Sequence, residues 1–552
     1  MPDLQSTLTN AVQFGRRAAD EVRALSHMRR AGVIGGDPPL ETIKGLRLSA
    51  QYGQLASAVM LSAQRYGDKP GLIDELGTLS FSELDARSSA LACALRARGL
   101  REGDSVGILC RNHRGLVDIN FGAGKIGARL LLLNTDFGGP QLQDVCEREG
   151  VVLLVHDEEY EELAAPIECE YGRVLGWTES NPGGLDTLEQ LISRHAGQVP
   201  PPPSSHAALV LLTSGTTGTP KGAPRSGSRS FAPVGALLSK VPYRSDESTY
   251  VGAPMFHGLG YTQMALAVIL GSTVICERRF NPGRVLDAIV RERPTALVVV
   301  PVMLARIVSL MEDEPERWDT SSLRIVFCSG AQLEAELVRR AQKTIGDKIY
   351  NFYGSTEVAY ATFATPEDLR AAPGCAGQVP FGAVVRLYDF DGREVTGAGN
   401  SGRIFVGNGY QFEGYTGGGT KEVIDGLMST GDVGHFDSGG RLFIDGRDDD
   451  MIVSGGENLF PGEVEELLIT HPAIEEAAVI GVDDEEFHKR LAAYVVLRSG
   501  QQLSEDDVRD FVKENLARFK VPRDIVFLEE LPRNPSGKVL KRQLREMHAG
   551  SA

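Results

Sequence analysis

From about Leu79 onward, short apolar strands alternate with helices, and that alternation leaves the chain few options besides stacked parallel α/β layers. The spacing predicts a helix over 81–100 and strands over 105–109, 130–133 and 151–155. Four consecutive prolines at 200–203, stiff and extended, are expected to separate this first α/β region from a second. There, strands over 208–212, 273–276, 297–300 and 325–328 alternate with helices such as 282–291. Residues 382–445 change character, with many glycines and Asp-Gly turns between short strands, as in a small β-rich subdomain. The carboxy-terminal part restarts an α/β pattern: a helix over 461–470, strands over 474–482 and 491–497, and a helix over 504–517 capped by Ser504. The charged turn Gly446-Arg447-Asp448-Asp449-Asp450 marks the boundary. The expected organisation is an amino-terminal extension over 1–50, a large domain over 51–446 built of two α/β subdomains plus the β-rich one, and a small α+β domain over 447–552.

Composition narrows the partners. With 42% hydrophobic and 24% charged residues the chain is not disordered throughout. The 57 Lys+Arg against 74 Asp+Glu leave −17, which argues against a nucleic-acid partner. A local nest of backbone N–H groups still suits phosphate, and 63 glycines supply close backbone approach. Seven scattered cysteines, none in a C-x-x-C pair, fit a reducing compartment and form no zinc cluster. The longest apolar runs fall far short of the ~18 residues that span a bilayer, and no secretory h-region opens the chain, so a cytoplasmic location is expected. Residues 8–30 read as a basic amphipathic helix. Packing on the main body is the first expectation, and peripheral contact of residues 1–30 with an anionic membrane the second.

The strongest local signal is a buried strand running into Thr213-Ser214-Gly215-Thr216-Thr217-Gly218-Thr219-Pro220-Lys221-Gly222. Glycines admit phosphate oxygens to the backbone, hydroxyls donate to them and Lys221 adds charge. It is not a Walker A loop, because Pro220 precedes the lysine and Gly222 replaces the magnesium-binding hydroxyl. Two further glycine patterns, Gly122 to Gly127 and Gly397 to Gly402, fit G-x-G-x-x-G but read as helix packing and a β-turn, because neither links a strand to a following helix.

The decapeptide resembles the ATP-loop signature of the adenylate-forming superfamily, which includes acyl-CoA synthetases, aryl-CoA ligases, firefly luciferase and peptide-synthetase adenylation domains. Seven more motifs follow in the family's order. They are Ala253-Pro254-Met255-Phe256-His257, Ser329-Gly330-Ala331, Tyr353-Gly354-Ser355-Thr356-Glu357, Ser429-Thr430-Gly431-Asp432, Gly446-Arg447, Ser454-Gly455-Gly456-Glu457-Asn458 and Pro535-Ser536-Gly537-Lys538. The resemblance implies that Thr213, Ser214, Gly215, Thr216, Thr217, Gly218 and Lys221 bind ATP phosphates, Glu357 holds Mg²⁺ and Thr356 contacts the α-phosphate. It implies that Asp432 and Arg447 fix the ribose, Gly330 and Ala331 form the strip under adenine, and Tyr353 stacks on the base. Gln332 stands where the family often has proline. Lys538 is implied as the catalytic lysine of adenylation, and His257 as a residue beside the acyl carboxylate. Rotation of a mobile carboxy-terminal domain about Asp449 would then bring Gly455 and Gly456 to the pantetheine of CoA.

No charged residue lies between Gly258 and Cys276, where Tyr261, Met264 and Ala265 are candidate pocket residues. The expectation is an ATP-, Mg²⁺- and CoA-dependent ligase for a medium- or long-chain fatty acid. The alternatives are a ligase that passes its acyl-adenylate to a carrier protein, a CoA ligase for aromatic or sterol-side-chain acids, and a non-catalytic nucleotide-binding protein.

Overall fold

The computed structural model describes residues 4–35, 38–180, 184–213, 221–225, 230–412, 414–416, 418–448, 452–454, 457–459, 461–484, 488–516, 520–534 and 537–551. Local chemistry sets the first elements. The helix Phe81–Arg98 starts at a capping box between Ser80 and Glu83 and stops at Gly99, whose φ of 111° lies in the left-handed region. The strand Ser105–Leu109 is buried along its whole length, as a parallel strand covered on both faces must be.

Two large sheets form the main body. An eight-stranded sheet runs in the order Thr362–Ala364, Ile349–Tyr353, Ile325–Cys328, Ala296–Val299, Ser248–Val251, Thr273–Ile275, Pro70–Asp74 and Gly77–Ser80. A six-stranded sheet runs Arg173–Trp177, Val151–Asp157, Ser105–Leu109, Arg129–Leu132, Ala208–Thr213 and Lys221–Arg225. The strands and helices expected from the sequence are present, with ends shifted by at most three residues. The division at the prolines is corrected. Ala208–Thr213 pairs in parallel with Arg129–Leu132 of the first region, while Pro70–Asp74 pairs with Thr273–Ile275 of the second. Sheet membership follows the free parallel edge rather than chain order, and the Pro200 carbonyl is tied back by the Tyr52 hydroxyl at 3.1 Å. One apolar core joins the two layers, with Val106 and Leu130 in the same cluster as Met264 and Val274.

A third, largely antiparallel sheet holds Ala383–Tyr388, Gly402–Asn408, Leu427–Phe436 and Leu442–Arg447, as the glycine-rich composition foretold. Gly122 to Gly127 closes the helix Arg114–Lys125, and Gly397 to Gly402 turns into the strand Gly402–Asn408, so both are structural. The carboxy-terminal unit is a three-stranded sheet of Ile474–Asp484, His488–Leu497 and Asp524–Leu528, with the helix Glu505–Asn515 capped by Ser504.

The amino-terminal helix Leu4–Ala31 packs on the helix Ala232–Lys240. Ala24 is fully buried against Gly235, which leaves no space for a Cβ, and Glu21 accepts the Phe231 N–H at 3.0 Å. Val22 on the same helix is 68% exposed. Among the described residues no helix is long and apolar enough to cross a membrane.

Candidate active site

The strands Ala208–Thr213 and Lys221–Arg225 pair antiparallel with Thr213 opposite Lys221, so the two ends of the hydroxyl-rich loop are pinned side by side. Ser214, Gly215, Thr216, Thr217 and Gly218 lie outside the described residues. The Lys221 ammonium stands 5.3 Å from the centre of the Tyr415 ring. The Tyr415 hydroxyl donates to Glu357 Oε1 at 2.7 Å, and the Ser355 hydroxyl donates to Glu357 Oε2 at 3.0 Å. Each carboxylate oxygen thus accepts one hydrogen bond and keeps lone-pair capacity for a hydrated cation. The Thr416 N–H donates to the Gly222 carbonyl at 2.9 Å, and the Gly222 N–H to Thr416 Oγ1 at 3.0 Å, which ties the far end of the loop to the same segment. The Thr416 hydroxyl also donates to Glu149, itself paired with Arg129. The sequence pointed to Glu357 but not to Tyr415 as its partner. The Gly414-Tyr415 pair was the available signal.

Asp432 faces Arg447 across the antiparallel strands Leu427–Phe436 and Leu442–Arg447. Arg447 Nη1 lies 3.1 Å from Asp432 Oδ1, and the Tyr353 hydroxyl donates to Oδ2 at 2.6 Å. Burial pushes the Asp432 carboxyl above the usual carboxylate range, opposed by Arg447, by the Tyr353 hydrogen bond and by the Lys538 ammonium. Burial and the neighbouring Asp432 push the Tyr353 hydroxyl well up, so it remains a donor. Gly431, at φ 81°, leaves room for the guanidinium, since a Cβ there would fall 3.1 Å from Arg447 Nη2.

Lys538 belongs to the carboxy-terminal unit, yet its field reaches Asp432 of the large domain. Its N–H donates to Asn534 Oδ1 at 2.8 Å, and the Gly537 carbonyl accepts from Arg533 Nη1 at 2.7 Å. Gly537 is buried against Val300 and Val302 with φ 80°, and an added Cβ would fall 2.5 Å from Val302 Cγ1. Val300 also borders Gly330, so the lysine loop is seated beside the Gly330-Ala331 strip. Thr356 is half-buried between Ser355 and Glu357. Asp449, Gly455 and Gly456 lie outside the described residues.

His257 stands at the amino-terminal end of the helix Gly258–Ile269, 4.7 Å ring to ring from Phe256. Its Nε2 is buried without a hydrogen-bond partner, and burial lowers its pKa to about 4, leaving a neutral imidazole near neutral pH. Asn112, which the sequence did not single out, orients this segment. Its Nδ2 donates to the Ala253 carbonyl at 3.0 Å and its Oδ1 accepts the Met255 N–H at 2.7 Å. Further along the helix the Tyr261 hydroxyl and the Asn120 amide from the facing subdomain are buried against each other. Buried Gln263 accepts from the Tyr243 hydroxyl at 2.7 Å, while Met264 adds apolar surface.

Residues 60–416 match the AMP-binding enzyme family, and residues 463–538 match the AMP-binding enzyme C-terminal domain. A feruloyl-CoA synthase of Amycolatopsis sp is 35% identical over 478 residues, covering 85% of this chain and 93% of that protein. An indoleacetate–CoA ligase of Aromatoleum aromaticum is 32% identical over 485 residues, covering 85% of this chain and 93% of that protein. Among solved structures, an anthranilate CoA ligase in complex with anthranoyl-AMP superposes with a TM-score of 0.81 at 25% identity, covering 90% of this chain and 98% of that one.

Proposed function

The chain belongs to the AMP-binding enzyme family as an AMP-forming acid–thiol ligase, and on that premise we propose that it activates a ring-bearing carboxylic acid and transfers the acyl group to CoA. In the first half-reaction a carboxylate oxygen attacks the α-phosphorus of ATP. The bond to the β-phosphate oxygen breaks and pyrophosphate leaves. In the second, the CoA thiol, having lost its proton, attacks the acyl carbon, and AMP leaves with the electron pair of the acyl–oxygen bond.

The observation that carries this reading is the seating of the Lys538 loop of the small unit on the large domain, where Gly537 packs on Val300 and Val302 beside Gly330. Asp432 accepts the ribose hydroxyls, with Arg447 and Tyr353 holding its orientation. Lys221 and Lys538 neutralise phosphate and carboxylate charge that would otherwise keep two anions apart. Glu357, clamped by Tyr415 and Ser355, would hold Mg²⁺, which supplies charge neutralisation to the leaving pyrophosphate. The neutral imidazole of His257 offers its unpaired Nε2 to the acid without introducing charge.

The ring-bearing class is chosen over the fatty acid first expected from residues 258–276. It is supported by the acids named for two relatives, the feruloyl-CoA synthase and the indoleacetate–CoA ligase, and by the buried polar pair Tyr261 and Asn120, to which a saturated chain offers no hydrogen bond. The charge-free helix itself favours the fatty-acid reading, which remains the competitor. Acid-dependent exchange of labelled pyrophosphate into ATP tests the choice. Hydroxycinnamic, indole and anthranilic acids should outpace octanoate and palmitate by about tenfold or more, and the reverse order would restore the fatty acid.

A further inference from the structure

Gln332, the position at which the chain departs from the family's frequent proline, reaches out of the large domain. Its Nε2 donates to Glu466 Oε1 at 2.6 Å, and Glu466 lies on the helix Pro461–Ile469 of the carboxy-terminal unit. The contact joins residues 134 apart and sits at the exposed rim of the cleft between the two units. It is paired with a second crossing. Glu334, two residues on, lies within the electrostatic reach of Glu465, Glu466, Glu476 and Arg533 of the small unit. Arg533 pairs with Glu476 at 3.0 Å and donates to the Gly537 carbonyl at 2.7 Å, so the cation whose charge offsets that of Glu334 also shapes the Lys538 loop. Glu465 is neutralised from its own side by Lys541 at 2.9 Å.

These crossings oppose each other. Closing the units brings Glu334 toward three carboxylates, a repulsion only partly relieved by Arg533. Gln332 contributes an amide donor to one of the same carboxylates, an attraction that proline could not supply. We propose that Gln332 is a positioning residue, a latch on Glu466 that holds the carboxy-terminal unit with Lys538 at the Asp432 site and so sets the balance between the two half-reactions. The proposal rests on the two-step ligase reading given above. The latch favours adenylation and must release before the thiol enters.

The test uses the full chain with three variants: Gln332→Ala, Gln332→Glu, and Gln332→Glu combined with Glu466→Gln, which rebuilds the hydrogen bond with donor and acceptor exchanged. Hydrogen–deuterium exchange over 461–469 and 533–541 reads the latch without substrate. Pyrophosphate release, and thioester formation from supplied acyl-adenylate and CoA, read the half-reactions with the acid that the unaltered protein turns over fastest. Loss of one rim hydrogen bond to a carboxylate predicts about fivefold faster exchange and about fivefold slower pyrophosphate release in Gln332→Glu, a smaller change of the same sign in Gln332→Ala, and thioester formation undiminished in both. The double variant should recover all three readouts. Equal loss of both half-reactions, unchanged exchange, or failure of the double variant to recover would overturn the latch. Absence of pyrophosphate release from the unaltered protein would instead overturn the ligase reading, with exchange alone then deciding the latch.

Discussion

The proposed nucleotide end and the proposed acyl end of the site are built in opposite ways. At the nucleotide end every named carboxylate already has partners: Asp432 has Arg447 and Tyr353, and Glu357 has Tyr415 and Ser355. At the acyl end His257 Nε2 is buried without one, and the Tyr261 hydroxyl and the Asn120 amide have only each other. A preorganised end costs no reorganisation at the moment of reaction, which suits chemistry common to all acids. An end with unbonded polar atoms is completed by its ligand, which suits discrimination between acids.

The largest effect should come from Lys538. Lys538→Ala should slow adenylation by about 10²–10³-fold while thioester formation from supplied acyl-adenylate persists, and equal loss of both would contradict the two-state arrangement of the lysine. Next is Asp432→Ala, which removes the ribose acceptor and leaves Tyr353 and Arg447 facing each other without it. The KM for ATP should rise about tenfold or more, with the order of preferred acids unchanged, as read by steady-state kinetics across the acid panel. His257→Ala should do the converse, reordering the acids by roughly tenfold while the KM for ATP holds. A shift in both constants together would erase the distinction between the two ends. Because burial already holds His257 neutral, its replacement should not move the pH profile between 6 and 9.

A smaller effect concerns pH and the cleft. Burial, with Glu465 and Glu466 adding repulsion, raises the Glu334 carboxyl to about 8 in the closed arrangement, and Arg533 opposes the shift while Glu476 adds to it. Closure therefore takes up a proton. It is favoured at low pH and loses that advantage as pH rises from the ordinary carboxylate range through about 8. Pyrophosphate release relative to thioester formation should fall across that window in the unaltered protein and stay flatter in Glu334→Gln. The smallest effect is Tyr261→Phe, which deletes a hydroxyl faced by the Asn120 amide alone and should leave the melting temperature within a few degrees.

Much of this was legible in the sequence because the chemistry is local. Alternating strands and helices announced the layers, and glycine-rich turns announced the third sheet. Asp432 and Arg447, fifteen residues apart, meet because a single hairpin joins their strands. What escaped depended on distant pairings. The exchange of strands between the two large sheets is set by which parallel edge is free, a property no local pattern carries. Tyr415 clamps Glu357 from 58 residues away, Asn112 braces the His257 segment from 143 away, and Gln332 finds Glu466 across 134. The polar lining of the proposed acyl end was hidden for a related reason. The charge-free helix Gly258–Ile269 reads as apolar in sequence, whereas the fold sets Asn120 and Tyr243 against its Tyr261 and Gln263.

The most direct measurement is a mass-spectrometric product assay with ATP, Mg²⁺ and single ring-bearing or fatty acids, each with and without CoA. The account predicts acyl-CoA and AMP from a ring-bearing acid when CoA is present, and only a small burst of acyl-adenylate when it is not. Acyl-adenylate accumulating equally with and without CoA would contradict the account and point to a carrier protein as the acceptor.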